Sequence, residues 1–225
     1  MRARTASPAL LAAALLALGG CGGSDDARAT AAGGDSTCEW LPDSDGEVID
    51  VGTPPEDVPT SGTVQLTMAL GQGDLGLSLD RESAPCAAAS FVFLAEEGYF
   101  DDTICHREVN QPSFGVLQCG DPTGTGTGGP GYRFAQEVTN DTSYPRGTIA
   151  MANTGRPDST GSQFFLCFVD TALTPDYTAV GMVDEDGLAV LDEIAEAGND
   201  GSLDPSPGGG APAVPVEISS VTVEG

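Results

Sequence analysis

"TVQLTMALGQGDLGLSLD", residues 63–80, settles the fold class. Val64, Leu66, Met68 and Leu70 recur at every second position. After Gly71-Gln72-Gly73 the pattern resumes at Leu75, Leu77 and Leu79. A period of two marks a strand with one buried face, and two such runs across a glycine turn read as a β-hairpin. Ser83 and Pro85 then open a helix that turns Ala88, Phe91, Leu94 and Ala95 inward and stops at Gly98. A second helix, about Gly187 to Ala197, sets Leu188, Leu191, Ile194 and Ala195 on one face before Gly198. Strands are predicted near 103–109, 114–119, 147–152, 163–168, 179–183 and 215–223. In the last of these the alternation changes parity at Ser219-Ser220, the mark of a bulge. About eight short strands and two helices predict a mainly β fold, a closed antiparallel barrel or a sandwich.

Outward from this core, residues 38–61 form an acidic, proline-rich extension that contains Trp40 and Cys38, and residues 22–37 read as a flexible tether. The N-terminus carries Arg2 and Arg4, an apolar run from Ala9 to Leu18, and then Gly19-Gly20-Cys21. That run is too short to span a bilayer and reads as an export signal over residues 1–21. Small residues before a cysteine resemble a bacterial lipobox, which would make Cys21 the lipid-carrying residue; the plainer alternative is a signal peptide with an incidental cysteine. The chain is expected on the extracytoplasmic face of the membrane, touching it only through the N-terminal lipid. A formal charge of -26 argues against nucleic acid and against an anionic lipid surface as partners.

Chemistry has few places to reside. Gly124, Gly126 and Gly129 satisfy the dinucleotide fingerprint, but Pro130-Gly131 opens no helix behind them. A P-loop needs a lysine, and all eight basic residues are arginines. With one histidine, His106, and no C-x-x-C, neither a metal site nor a serine triad is supported. Asp184-Glu185-Asp186 reads as a charged turn, and "NDGSLD" at 199–204 lacks the bidentate acid of a calcium loop. No cofactor or metal is expected.

Four blocks carry a resemblance: "FVFLAEEGYFDDTICHRE" (91–108), "LQCGDPTGTGTGGPGYRF" (117–134), "GTIAMANTGRPDSTGSQFFLCF" (147–168) and "DYTAVGMV" (176–183). In order and spacing they resemble the cyclophilins, the peptidyl-prolyl cis-trans isomerases. The chain looks most like the secreted lipoprotein members of high-GC, actinobacterial bacteria. The resemblance spans residues 62–225 as one domain and implies a closed eight-stranded antiparallel β-barrel with two helices. It implies rotation about X-Pro bonds of exported, unfolded proteins, by a monomer. The amide barrier of about 18–20 kcal/mol falls when the nitrogen lone pair leaves conjugation, so neither nucleophile nor metal is needed.

By the same resemblance Arg107 is the catalytic residue, against the plainer reading of an ion-paired strand arginine. Gln118, Ala152, Asn153, Gln163 and Phe165 bind substrate; Phe165 as mere core filler is the alternative. Leu173 adds an apolar wall. The glycine-threonine loop lies along the peptide groove. The departures fall in the pocket. The family's pocket phenylalanine falls on Gly115, and Phe114 stands one residue away, reaching the pocket through a bulge at Gly115. Tyr177 replaces the groove histidine, Glu108 follows Arg107 directly, and no groove tryptophan is present. Cys105 and Cys119 flank the hairpin bearing Arg107 and Gln118 and are expected to bridge; Cys38 with Cys86 is the remaining pairing, and Cys167 stays reduced. Two competing readings remain: a peptide-binding module with weak or no catalysis, and a purely structural envelope lipoprotein, against which the joint presence of Arg107, Gln118 and Phe165 counts.

Overall fold

The structure, a computed structural model, describes residues 35–224. The expected leader at 1–21, Cys21 and the tether as far as residue 34 lie outside the described residues. The elements in chain order are β1 (Asp35–Thr37), β2 (Leu41–Pro42), β3 (Asp57–Pro59), β4 (Thr63–Leu70), β5 (Gly73–Asp80), α1 (Pro85–Glu96), β6 (Thr103–Ile104), β7 (Arg107–Gln111), β8 (Phe114–Cys119), β9 (Tyr132–Arg133), β10 (Thr148–Met151), β11 (Phe164–Cys167), β12 (Ala179–Val183), α2 (Glu185–Ala197) and β13 (Glu217–Val223).

The opening hairpin is as its periodicity dictates. β4 and β5 pair from Thr63↔Asp80 to Leu70↔Gly73, turning at Gly71-Gln72 and burying Val64, Leu66, Met68 and Leu70 against Leu75, Leu77 and Leu79. These side chains share one core with Phe91 of α1, Phe100 and Phe164, whose rings sit 5.0–5.6 Å apart. The bulge is present too: Ile218 pairs with Leu70 and Ser220 with Ala69, leaving Ser219 over. α1 begins at Pro85 but is capped from a distance. Ala84 offers no side-chain acceptor, and the Glu137 carboxylate takes the N–H groups of Cys86 (3.0 Å) and Ala87 (2.9 Å). Ser83, expected to open the helix, donates to Asp80 instead. α2 is capped locally, the Asp184 side chain accepting from Gly187 N–H.

The sheet departs from the expected closed barrel of eight strands. It is one open antiparallel sheet of nine strands, ordered β6-β13-β4-β5-β12-β10-β11-β8-β7. The difference arises in residues 103–109, which the pattern reads as one strand. Thr103–Ile104 pairs with β13, whereas Arg107–Gln111 pairs with β8, so a single extended segment supplies both edges of the sheet. Only Cys105 and His106 separate them, and at about 3.3–3.6 Å per residue the two edges must curl toward each other without a ladder closing the seam. The Cys105–Cys119 disulfide crosses this seam region. The outer edge of β7 is covered by Gly210, which exchanges two backbone hydrogen bonds with Glu108 (2.7 and 3.1 Å).

The acidic extension is strapped down. Cys38 is bonded to Cys86 of α1, β1 pairs with β3, and β2 pairs with β9. Asp35–Thr37, read as the end of the tether, is therefore strand. Trp40 packs edge-on against Tyr132 and Phe134 at 5.5 and 5.3 Å. Cys167 is buried and unpaired, as expected. No helix among the described residues is long and apolar enough to cross a membrane.

Candidate active site

Cross-strand rows build the site. Arg107 on β7 pairs with Gln118 on β8, which pairs with Phe165 on β11, which pairs with Ala150 on β10. The next row is Val109, Val116 and Cys167. Side chains of adjacent rows on one face touch, and here they form a small apolar cluster apart from the main core: Val109, Val116, Tyr144, Ala150, Phe165 and Cys167. Phe114, Ala152, Leu173 and Tyr177 pack against it.

Phe114 reaches this face without a bulge. β7 and β8 stay in register from Arg107↔Gln118 to Gln111↔Phe114 with no shift. Phe114, Val116 and Gln118 therefore share one face by the period of two. Gly115 lies on the opposite face, where a Cβ would meet Phe168 at 2.6 Å and Val169 at 2.7 Å. Close packing, not a kink, explains the glycine.

Arg107, Phe114, Gln118, Ala152, Asn153, Phe165, Leu173 and Tyr177 all line one cleft of about 470 Å³. Gln163 stands just beyond it, its Oε1 accepting from Gln118 Nε2 at 3.0 Å. Sequence reasoning missed Val116, which two-residue spacing from Gln118 would have found. It also missed Leu203 and Pro207, which line the cleft from the segment after α2, and Tyr144, whose hydroxyl holds the Tyr177 backbone (2.8 and 2.9 Å). No local pattern signals these three.

Arg107 is held without being neutralised. Nη1 donates to Gln118 Oε1 (3.1 Å), Nε to Gly208 O (3.0 Å) and Nη2 to Pro207 O (3.0 Å). A guanidinium has five N–H donors, so two remain for a ligand. The ion pairs among the described residues are Arg146–Asp192 and Arg156–Asp45, so Arg107 is not the ion-paired strand arginine of the plainer reading. Burial lowers its pKa, with Tyr177 opposing, and an arginine stays charged at neutral pH. His106 beside it is pushed down by burial, partly offset by Asp121 and reinforced by Arg107, so it is neutral at pH 7.

A chain of hydrogen bonds runs on from Arg107. Gln118 links it to Gln163, and Gln163 Nε2 donates to Gly128 O (3.1 Å) in the glycine-threonine loop. That loop is organised by Asp121, which is fully buried. Its Oδ1 accepts from Thr123 N–H and hydroxyl (both 2.8 Å), and Oδ2 from Gly126 N–H (2.6 Å) and Gly128 N–H (3.0 Å). Burial alone would raise the Asp121 pKa, but the bonds from Gly128, Thr123 and Gly126 outweigh it and hold the carboxyl below its ordinary value. No group of three or more metal-ligating side chains occurs among the described residues.

These features have counterparts in known proteins. A family described as "Cyclophilin type peptidyl-prolyl cis-trans isomerase/CLD" matches residues 63–223. "Probable peptidyl-prolyl cis-trans isomerase B" of Mycobacterium tuberculosis is 43% identical over 203 residues, covering 84% of this chain and 64% of the relative. The protein of the same name from Mycobacterium leprae is also 43% identical, covering 83% of this chain and 66% of its own length. The chain thus spans slightly under two thirds of these relatives. Among solved structures, a Cryptosporidium parvum cyclophilin type peptidyl-prolyl cis-trans isomerase superposes with TM-score 0.63 at 27% identity, covering 73% of this chain and 99% of that one. The same protein, solved in the presence of the dipeptide Ala-Pro, gives 0.62 at 28% identity, with 72% and 99% covered. With the family's match running across the whole sheet and both helices, the chain belongs to the cyclophilin family.

Proposed function

We propose that this chain is a peptidyl-prolyl cis-trans isomerase that acts on X-Pro bonds of exported proteins while tethered by lipid at Cys21. The observation that carries the activity is an uncompensated guanidinium, Arg107, facing the apolar wall of Phe114, Val116, Phe165 and Leu173 across one cleft. The proline ring packs on that wall, and Asn153 and the Ala152 backbone hold the flanking peptide. As the amide twists, its nitrogen pyramidalises and regains a lone pair. The two free N–H donors of Arg107 meet that developing electron density, which favours the twisted state over either planar one. The relatives named as isomerases support the reading. Export is supported by the signal-like sequence of residues 1–21 and by two disulfides, which persist in oxidising compartments.

The alternative, a peptide-binding module with weak or no catalysis, drew on a displaced Phe114 and on the missing groove histidine, replaced by Tyr177. With Phe114 beside Val116 on the cleft wall the first ground lapses, and Tyr177 in place of the histidine is what still favours it. One experiment separates the readings: NMR exchange between the cis and trans forms of an Ala-Pro peptide, with residues 38–225 and with Arg107→Ala. Acceleration that falls about 100-fold in the variant supports the isomerase. Peptide binding without faster exchange, equal in both proteins, identifies the binding module and overturns the proposal. The tether is tested separately, by whether Cys21→Ala moves the full chain from the membrane to the soluble fraction.

A further inference from the structure

The run "NDGSLD" at 199–204 folds onto its own backbone. Asn199 Oδ1 accepts from Gly201 N–H (3.0 Å), and Asp200 Oδ1 accepts from Ser202 N–H (2.9 Å) and Ala211 N–H (3.0 Å). Asp204 Oδ1 reaches forward to Gly209 N–H (2.8 Å). Leu203 N–H donates to Gly209 O (2.9 Å) and Gly208 N–H to Leu203 O (3.0 Å), which closes residues 203–209 into a tight turn. The turn is seated on the edge of β7. Gly210 holds Glu108 by both backbone groups, and a Cβ on Gly209 would stand 1.9 Å from Glu108 O.

The two carbonyls that grip Arg107 belong to this turn, and each is fixed from behind. In a planar trans peptide the C=O and the N–H point in opposite directions. The peptide between Pro207 and Gly208 gives its oxygen to Arg107 Nη2 (3.0 Å) and its N–H to Leu203 O. The peptide between Gly208 and Gly209 gives its oxygen to Arg107 Nε (3.0 Å) and its N–H to the Asp204 carboxylate. Gly208 and Gly209 stand at φ +99° and +76°. A plane between two glycines turns easily unless a partner holds it. The carboxylate makes that bond charge-assisted, and a peptide engaged at its N–H accepts more strongly at its oxygen. Asp204 is itself exposed and forms no ion pair with Arg107, so its route to the guanidinium runs through this peptide.

We propose that Asp204 is a positioning residue for Arg107: by holding the peptide plane between Gly208 and Gly209 it sets the angle at which the two free N–H groups face the bound amide. Its effect on rate rests on the isomerase reading; its effect on the guanidinium does not. The test uses the full chain, with Asp204→Ala, Asp204→Asn, Arg107→Ala and the variant carrying both alanines. NMR follows the exchange of a saturating Ala-Pro peptide, the peptide's dissociation constant and the Arg107 Nε–H resonance. Asp204→Ala is expected to slow exchange about tenfold, short of the about 10²-fold that a misplacement of about 1 Å can cost. The dissociation constant should hold and the Nε–H resonance should move. Asp204→Asn, whose amide oxygen still accepts from Gly209, should keep most of the rate. Once Arg107 is alanine, loss of Asp204 should change nothing further. An unchanged rate in Asp204→Ala, an equal loss with and without Arg107, or an affinity that falls along with the rate overturns the assignment. So does an Asp204→Asn variant as slow as Asp204→Ala. A parent that does not accelerate exchange defeats the isomerase reading instead, and the Nε–H resonance still decides whether Asp204 holds the guanidinium.

Discussion

The two banks of the peptide cleft are built on different principles. The sheet bank presents Arg107, Gln118 and Phe165 from three neighbouring strands, and their proximity follows from register and the period of two. The loop bank, from Gly120 to Gly131 with the segment after α2, has no repeating geometry. Its glycine-threonine part depends on one buried carboxylate, Asp121, and the segment after α2 on Asp200 and Asp204, while carbonyls at Pro207 and Gly208 reach Arg107 from a hundred residues away. A sheet bank tolerates the loss of one contact, because the ladder persists. The glycine-threonine loop, organised by the single carboxylate of Asp121, does not.

That contrast can be broken most severely at Asp121. Asp121→Asn sets an amide N–H₂ against donors at Gly126 and Gly128 and is expected to cost about 3 kcal/mol. In the folded variant the amide shifts of residues 123–128 should move while those of 116–119 hold; movement of both together would show the banks to be one unit. Next is the seam. Replacing Cys105 and Cys119 by serine frees a loop with a sequence separation of 14, which the chain-entropy account sets at about 3 kcal/mol, commonly less in practice. The denaturant midpoint measures it, and no change would mean that the sheet edges hold each other without the bridge.

Glu108 gives the smallest effect, confined to a pH window. It stands on the sheet bank with its side chain fully buried, and neither carboxylate oxygen has a hydrogen-bond partner among the described residues. Burial pushes its pKa from the ordinary 4.5 up to about 7. An acid with a raised folded pKa leaves stability unaffected below the unfolded value, where both states are protonated. Stability then falls as pH climbs through the interval to about 7, because only the unfolded state releases its proton, and the loss is complete above that. Glu108→Gln should therefore raise the melting temperature at pH 8 relative to the parent, with a stability gain below the roughly 3 kcal/mol that a displacement of this size corresponds to because the buried amide also lacks partners, and leave pH 4 nearly unchanged. An equal gain at both pH values would show that packing, not ionisation, sets the cost.

Much of the sheet bank was legible in the chain. The 63–80 hairpin, both helices, the bulge at Ser219 and the two disulfide pairings are where pattern and resemblance put them, as are Arg107, Gln118 and Phe165. Phe114 lies in the cleft as expected but needs no bulge to reach it: residues 114 and 118 differ by an even number and so share a face. The split of 103–109 into β6 and β7 was invisible, since a strand that changes partners keeps its alternation while the ladder around it changes.

The sequence by itself determined the elements, the apolar faces and the residue types that meet across adjacent strands, because those depend on local periodicity and short-range register. Only the tertiary structure decided that both edges of the sheet come from one segment, that Glu137 caps α1, that Pro207 and Gly208 hold Arg107, and that β2 of the acidic extension pairs with β9. Each of these is an interaction between a backbone group or a single side chain and a partner far along the chain, where neither periodicity nor propensity carries information.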